Sequence, residues 1–436
     1  MNGLTVPVPE ARREQGPHRG RLIRSFHDLG TLDPHRPVVT LFSGGLDSTY
    51  LLHRLRQSGF AEVHALSVAL GGEEGDDGAR ATAETLGAIT HTVDAREAFA
   101  TEFVAPAIAA QAVYLDAHPV SSTLSRPLIA RIALRLAGEL NARAVLHTAN
   151  RSQNSLRRLN GAMGLLGWSG HYGSPYDLCP VDRERKIAEL AAAGVGHLSG
   201  RTVSGDANLW CREFESGVLD DPEDHAVPEH LYRWSVPGGR RPPGSDEIIE
   251  IGLESGIPVV LDGRRLPLHD LIGELNTRVG AHGLGRYSGL EHLEGGQKVL
   301  EVREMPAAWL LLRTSRHLEH ATLTAETVRE KLHIEQIWVR EALEGRWYGE
   351  LRTAAQAFID ACTPHVTGSV RWRLTDGRAH TVGIVAHRPR YLRDREAWER
   401  EGVRAETETY RDVACASRRT FPGVTPRALR EGRLMT

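Results

Sequence analysis

Cysteine is scarce in this chain, with four among 436 residues. Cys179, Cys211, Cys362 and Cys415 stand far apart and form no C-x-x-C pair, so neither a zinc site nor a disulfide framework is suggested. No apolar run approaches the ~20 residues that cross a bilayer, and no membrane partner is expected. The N-terminus carries Pro7, Pro9, Arg12, Arg13 and Glu14 without an apolar stretch, unlike a secretory signal. An excess of one charge is also missing. Lysine and arginine number 53 against 56 acidic residues, a formal net charge of −3, which gives no drive toward nucleic acid or an anionic surface. Internal repeats and low-complexity tracts are absent. What remains is an ordinary globular composition, 41% hydrophobic and 25% charged, which reads as cytoplasmic and is long enough for two domains.

The most informative stretch is Ser43-Gly44-Gly45-Leu46-Asp47-Ser48. Val38–Phe42 before it is short, apolar and β-branched, and reads as a buried strand. Leu51, Leu52 and Leu55 after it share one helical face. A strand, a Gly-Gly turn and a helix N-terminus bring unpaired N–H groups and the positive end of a dipole to one point, which is the geometry of an anion site. No Gly-Lys-Ser/Thr follows, so it is not a Walker loop. Six residues of turn chemistry are equally an ordinary strand-to-helix turn.

The wider pattern alternates. Strands are expected at Ala61–Leu70, Ala88–Val93 and Ala142–His147, and helices at Asp77–Leu86, Ala98–Val113 and Ser125–Leu140. In the last of these, Ser125 is placed as N-cap and Pro127 in the first turn. Such alternation predicts an α/β domain with a parallel sheet covered on both faces, ligands binding at the carboxyl ends of its strands. Residues 43–48 and the loop after His147 lie at such ends. Beyond about Gly200 the pattern loosens. Turns at Gly238-Gly239 and Pro242-Pro243-Gly244, strands at Glu247–Leu253 and Pro258–Leu261, and helices at Leu266–Val279, Ala325–Leu332, Ile337–Glu344 and Leu351–Ala361 predict an α+β domain. A hairpin over Gly368–Leu374 and His380–Val385 closes it. The expected organisation is a loosely packed extension over 1–36, domains over 37–200 and 201–387, and an arginine-rich tail over 388–436 suited to packing on a neighbouring subunit.

Ser43–Ser48 resembles the loop of the PP-loop ATP pyrophosphatases, which holds the pyrophosphate leaving ATP. Over residues 37–385 the chain resembles the argininosuccinate synthase family. The matching segments are Ser43–Ser48; Ala112-Val113-Tyr114; Ser125-Arg126-Pro127-Leu128-Ile129-Ala130; and Asn208-Leu209-Trp210 running to Gly217-Val218-Leu219-Asp220-Asp221-Pro222. They continue with Leu275-Asn276, Gly280, His282-Gly283, Gly285-Arg286, Glu291 and Val366-Thr367-Gly368. The resemblance implies a parallel-sheet PP-loop domain of the adenine nucleotide alpha hydrolase type, which binds ATP, followed by an α+β synthetase domain. It implies ATP with Mg²⁺ carried on the phosphates and no separate metal site, small amino-acid-like substrates, and a homo-oligomer, by resemblance a tetramer. The implied reaction adenylates the ureido oxygen of citrulline, releases pyrophosphate, and lets the amine of aspartate displace AMP.

Residue by residue, the resemblance assigns nucleotide contacts to Ser43, Gly44, Gly45, Leu46, Asp47, Ser48, His147, Asn150 and Arg151. Asp47, Arg126 and Asn154 are the expected catalytic groups. Substrate contacts fall on Tyr114, Ser122, Thr123, Asn154, Ser155, Arg158, Ser204, Glu213, Glu291 and Arg303. Several positions depart from the family. Thr123 stands for a serine, Glu213 for a small residue and Arg303 for a tyrosine. The family's Thr-Gly-Lys-Gly-Asn-Asp reads Asn150-Arg151-Ser152-Gln153-Asn154-Ser155. These changes alter charge at both substrate ends and predict a ligase whose substrates have diverged from citrulline and aspartate. Two alternatives stand beside it: a genuine argininosuccinate synthase, and a silent nucleotide-binding relative. The competing reading of Glu213 and Arg303 pairs them with each other as a solvated rim bridge worth ~0–1 kcal/mol. Arg151 is either solvated or a clamp on a phosphate oxygen. His282, in a glycine-rich turn, reads as structural.

Overall fold

The computed structural model describes residues 20–72, 77–196, 204–236, 246–293 and 295–401. One compact unit runs to Arg388 and a second begins at Pro389. The second opens with helical turns over 395–401, where Arg395 and Glu399 pair at 3.0 Å. The turns expected at 238–239 and 242–244 lie outside the described residues.

The first half of the large unit alternates as predicted. Its strands are β1 (Leu22–Ile23), β2 (Val38–Leu41), β3 (Val63–Ala69) and β4 (Ile89–Asp94), then a small hairpin β5 (Val113–Tyr114) and β6 (His118–Pro119), then β7 (Ala144–Leu146) and β8 (His171–Gly173). All but the hairpin join one parallel sheet in the order β1-β8-β7-β2-β3-β4. Val38, Val39 and Thr40 are all buried, the mark of a central strand covered on both faces. The covering helices are α1 (Leu46–Gln57), α2 (Asp77–Thr85), α3 (Arg96–Phe99), α4 (Ala105–Ala109), α5 (Ser122–Glu139), α6 (Ser155–Leu165) and α7 (Arg183–Ala192).

The second half holds two antiparallel sheets. β9 (Ser204–Asn208), β10 (Cys211–Glu215), β14 (Arg286–His292) and β15 (Lys298–Glu304) pair in the order β14-β15-β10-β9. β11 (Glu247–Glu254), β12 (Ile257–Leu261), β13 (Arg264–Arg265), β16 (Gly368–Thr375) and β17 (Arg378–Ala386) pair as β13-β12-β11-β16-β17. Helices α8 (Leu268–Gly280), α9 (Pro306–Thr322), α10 (Ala325–Leu343) and α11 (Glu350–Cys362) complete it. One continuous core joins the halves, from Val39 and Phe99 to Leu311 and Trp338.

Four expectations need correction. Residues 20–36, expected to be loosely packed, add the edge strand β1, bury Ile23 and Leu29, and set Phe26 edge-on against Tyr50 and Tyr176. The helix expected over Ala98–Val113 is broken: a π turn over Ala100–Val104 separates α3 from α4, and the chain leaves the helix at Ala110. Helix α5 begins three residues before the expected cap. Ser125 is fully buried inside it, its hydroxyl donating to the Ser122 carbonyl at 3.2 Å, and Pro127 is interior. The two helices expected over 325–344 are one, α10. The gap left at 333–336 is helical, and Glu335 within it is buried where it pairs with Lys331 at 2.6 Å.

Candidate active site

β2 delivers the chain to Ser43, and α1 starts at Leu46 with Gly45 as its N-cap. Gly44 has φ +71°, and a Cβ there would stand 2.5 Å from the Ala79 Cβ, so only glycine fits. The hydroxyl of Ser48 donates back to the Gly45 carbonyl at 3.0 Å, and Ser43 and Ser48 hydroxyls lie 3.3 Å apart. The turn is thereby held from within, and the first N–H groups of α1 have no acceptor inside the helix, as at any helix start. Asp47 in that first turn pairs with Lys186 of α7 at 2.5 Å, and its carbonyl accepts from the Tyr176 hydroxyl at 3.0 Å. Lys186 and α7 were not singled out from the sequence. The available signal was rarity: the chain has three lysines, and one meets this loop.

A second cluster forms where the first turns of α5 and α6 reach one face of the β14-β15-β10-β9 sheet. Arg303 on β15 is the direct cross-strand partner of Glu213 on β10 and of Tyr287 on β14, and Glu213 in turn faces Asp206 on β9. Alternation puts Glu301, Glu291 and Glu215 on the same face. Arg303 donates to Glu213 at 2.7 Å, to Glu291 at 3.1 Å, and to Glu301. From α6, Arg158 donates to Glu291 at 3.2 Å and to the Ser122 hydroxyl at 2.7 Å. Asn154 donates to Glu291 at 3.0 Å and to the His292 carbonyl at 3.0 Å. Arg126 of α5 spans from the Ser155 hydroxyl at 3.0 Å to Asp206 at 2.9 Å. The Tyr114 hydroxyl lies 2.5 Å from His292 Nδ1.

Burial governs the electrostatics. It opposes ionisation of Glu291, but a hydrogen bond from Glu301 and the Arg158 and Arg303 charges outweigh it and hold that carboxyl far below the usual range. Glu301 moves the other way: burial, and next to it the Glu291 charge, push it well up despite Arg303. Glu215 is also raised, by burial and by neighbouring carboxylates, against one hydrogen bond from Gln153. Arg303 stays charged because three carboxylates overcome its burial. His118, on β6 beside the cluster, is driven down to about 3 by burial and the Arg303 charge.

Seven expected substrate residues thus converge: Tyr114, Ser122, Asn154, Arg158, Glu213, Glu291 and Arg303, with Ser155 reaching the group through Arg126. Glu213 and Arg303 do pair, as the competing reading had it, yet at 11% and 2% side-chain exposure they form a buried bridge rather than a solvated rim. Thr123 is buried beside Ser122, and Ser204 is exposed at the start of β9. Arg151 points outward, 67% exposed, and shares Asp177 with Arg24. Asn150 caps its own loop, accepting from Ser152 N–H at 3.0 Å. His147 is buried with both nitrogens engaged, Nε2 on the Asn160 oxygen at 2.9 Å and Nδ1 accepting from the Ala149 N–H at 3.3 Å. Burial lowers it to about 4. Only its backbone could meet a ligand. His282, read as structural, is buried against Glu247 at 3.1 Å. Missed from the sequence were Glu301, Glu215, His118 and Tyr287. Reading Arg286–His292 and Lys298–Glu304 as strands would have put Tyr287, Glu291, Glu301 and Arg303 on shared faces by period two.

Comparison with known proteins gives a consistent result. Residues 37–165 match the "Arginosuccinate synthase N-terminal HUP domain", and residues 203–409 match the "Arginosuccinate synthase C-terminal domain". The argininosuccinate synthase of Rubrobacter xylanophilus is 34% identical over 371 residues, 84% of this chain and 90% of its own. That of Symbiobacterium thermophilum is 36% identical over 80% of this chain and 87% of its own. The enzyme of Pyrococcus furiosus is 33% identical over 79% and 84%. A solved NMN synthetase from Francisella tularensis covers 41% of this chain and 71% of its own at 15% identity and a TM-score of 0.31, a likeness too loose to argue from.

Proposed function

The chain belongs to the argininosuccinate synthase family, ATP-dependent ligases that form a C–N bond, and on that premise we propose how its site works and on what. The reaction activates a ureido oxygen as an adenylate, releases pyrophosphate, and joins the carbon to an amine with loss of AMP. ATP, when bound with Mg²⁺, supplies the adenylyl group and the pyrophosphate leaving group. The fit of residues 43–48 to that role rests on the uncapped N-terminus of α1 and the close approach that Gly44 permits. Lys186 places a cation beside the same loop, and Asp47 is suited to hold Mg²⁺ through water. Asn154 and Arg158, both anchored on Glu291, orient the acceptor. Orientation of three ligands in line contributes on the order of 7–11 kcal/mol, so no nucleophilic side chain is required.

The first reading of the substrates is citrulline and aspartate, carried by similarity over 79–84% of the chain to three relatives named argininosuccinate synthases. A second reading, with changed substrates, is favoured by one observation: Arg303 fills Glu291, the carboxylate that Arg158 and Asn154 also use. Asn150 and Ser155, where the family has threonine and aspartate, support it by removing an anion. By resemblance the enzyme is a homotetramer, which light scattering would check.

The test is direct. With ATP, Mg²⁺, citrulline and aspartate, the first reading expects argininosuccinate, AMP and pyrophosphate in equal amounts. ADP and inorganic phosphate as stoichiometric products would overturn both readings. Ser43→Ala and Asp47→Ala are expected to lower pyrophosphate release with unchanged melting temperature.

A further inference from the structure

The face of the β14-β15-β10-β9 sheet beneath α5 and α6 carries more negative charge than its cations cancel. Along one row, Glu213 stands between Arg303 and Asp206. The next positions add Glu301, Glu291 and Glu215. Against these five carboxylates stand three guanidinium groups: Arg303 among Glu213, Glu291 and Glu301, Arg158 on Glu291, and Arg126 on Asp206. Two carboxylates remain in excess, even with the Arg303 that this chain adds. Glu215 and Glu301 are the two whose carboxyls burial pushes up.

A second observation points the same way. His118 lies between two aromatic rings, with centroids 5.5 Å from Tyr114 and 4.8 Å from Tyr287, and Tyr287 is the cross-strand neighbour of Arg303. It is 2% exposed, and its Nε2 is buried without a hydrogen-bond partner. An unsatisfied ring nitrogen in a row of aromatic faces beside surplus carboxylates is the surrounding that an ammonium group prefers, through ion pairing and cation–π attraction together. A carboxylate has less to meet there. Both Nη atoms of Arg303 and of Arg158 are engaged, leaving Arg303 Nε as the buried donor in the cluster with no acceptor.

We propose that the ureido acceptor taken by this site ends in an ammonium group with no carboxylate beside it. This rests on the second reading above, in which the acceptor is not citrulline. Citrulline carries both charges at that end, and its carboxylate would face the surplus acids. Removing that carboxylate from citrulline gives N-carbamoylputrescine, and removing the amine gives 5-ureidopentanoate. The three compounds therefore isolate the charge of the tail.

The experiment is acceptor-dependent exchange of labelled pyrophosphate into ATP by the wild-type protein, which needs no knowledge of the amine partner. N-carbamoylputrescine is expected to exceed citrulline at least tenfold in kcat/KM, and 5-ureidopentanoate to be silent. Citrulline equal to or better than N-carbamoylputrescine would overturn the proposal and leave the citrulline reading standing. No exchange with any ureido compound would remove adenylation of a ureido oxygen, and the proposal with it. Glu301→Gln, compared within the one variant, should shrink the ratio of N-carbamoylputrescine to citrulline severalfold. An unchanged ratio would take Glu301 out of tail recognition and count against the proposal.

Discussion

Two buried charge clusters in this protein are built on opposite plans. Between α9 and α10, Glu319 meets Lys331 at 2.8 Å and Arg316 at 2.7 Å, and Glu335 meets the same two at 2.6 Å each. Two cations and two carboxylates close a ring in which each cation bridges one oxygen of each carboxylate and no oxygen is left over. Lys331 adds a bond to the Ala109 carbonyl at 2.6 Å, which ties the ring to the first half of the molecule. Under α5 and α6 the cluster stays open: carboxylates outnumber guanidinium groups, and both His118 Nε2 and Arg303 Nε lack partners. A closed ring leaves no buried charge unpaired, so the fold tolerates it without a ligand. An open cluster is held unsatisfied by the surrounding structure, and that is where a ligand has something to gain. Burial alone therefore does not mark a site; imbalance does.

The largest expected effect breaks the closed ring. Lys331→Met leaves Glu319 and Glu335 with Arg316 as the one cation between them, and removing one partner of a buried pair costs about 3–5 kcal/mol. Urea denaturation should show that loss, with ATP–pyrophosphate exchange per folded molecule unchanged. A variant as stable as wild type would mean the ring is not a structural device.

Opening the second cluster further should harm function more than stability. Glu291→Gln removes the negative charge shared by Arg158, Arg303 and Asn154 and one of its two acceptor oxygens, a change of about 2–5 kcal/mol at the desolvated site, or about 30- to several-thousand-fold in kcat/KM. Because Glu213 and Glu301 still hold Arg303, the melting temperature should fall less than in Lys331→Met. A collapse of stability with activity intact would erase the contrast between the clusters.

The smallest effect is a slope. Glu301 is raised in the folded state, so from its ordinary value of 4.5 upward the unfolded chain loses a proton that the folded chain keeps. Stability attributable to this group is therefore fully present below that value and declines as pH rises toward the folded value, by up to about 1.4 kcal/mol per pH unit. Glu291 has the opposite sign, since its lowered carboxyl stabilises above 4.5 and loses that contribution as pH falls. Glu301→Gln should gain on wild type steadily as pH rises from about 5, read as the difference between two denaturation series. Parallel series would show that Glu301 carries no retained proton.

Much of the first half was legible because its signals are local. The run Val38–Leu41, the glycines and the stripe of Leu51, Leu52 and Leu55 depend on neighbours within a few residues, and each lands where periodicity places it. The absence of a Cβ lets Gly44 enter the left-handed region at φ +71°, a permission written in the residue itself. Departures from the family at Glu213 and Arg303 were also visible as residue identities.

What those identities mean was decided by the tertiary structure. Glu213 and Arg303 are 90 residues apart in sequence, and only the β10–β15 register makes them a buried pair. Lys331 and Glu335 are a buried pair only because Glu319 and Arg316 arrive from α9 to complete their ring. The sequence determined which elements form, because backbone preference and hydrophobic period act over one turn or one strand. Whether a charge is solvated, neutralised or left in surplus depends on the dielectric and the partners that distant segments bring, and no spacing along the chain encodes that sum.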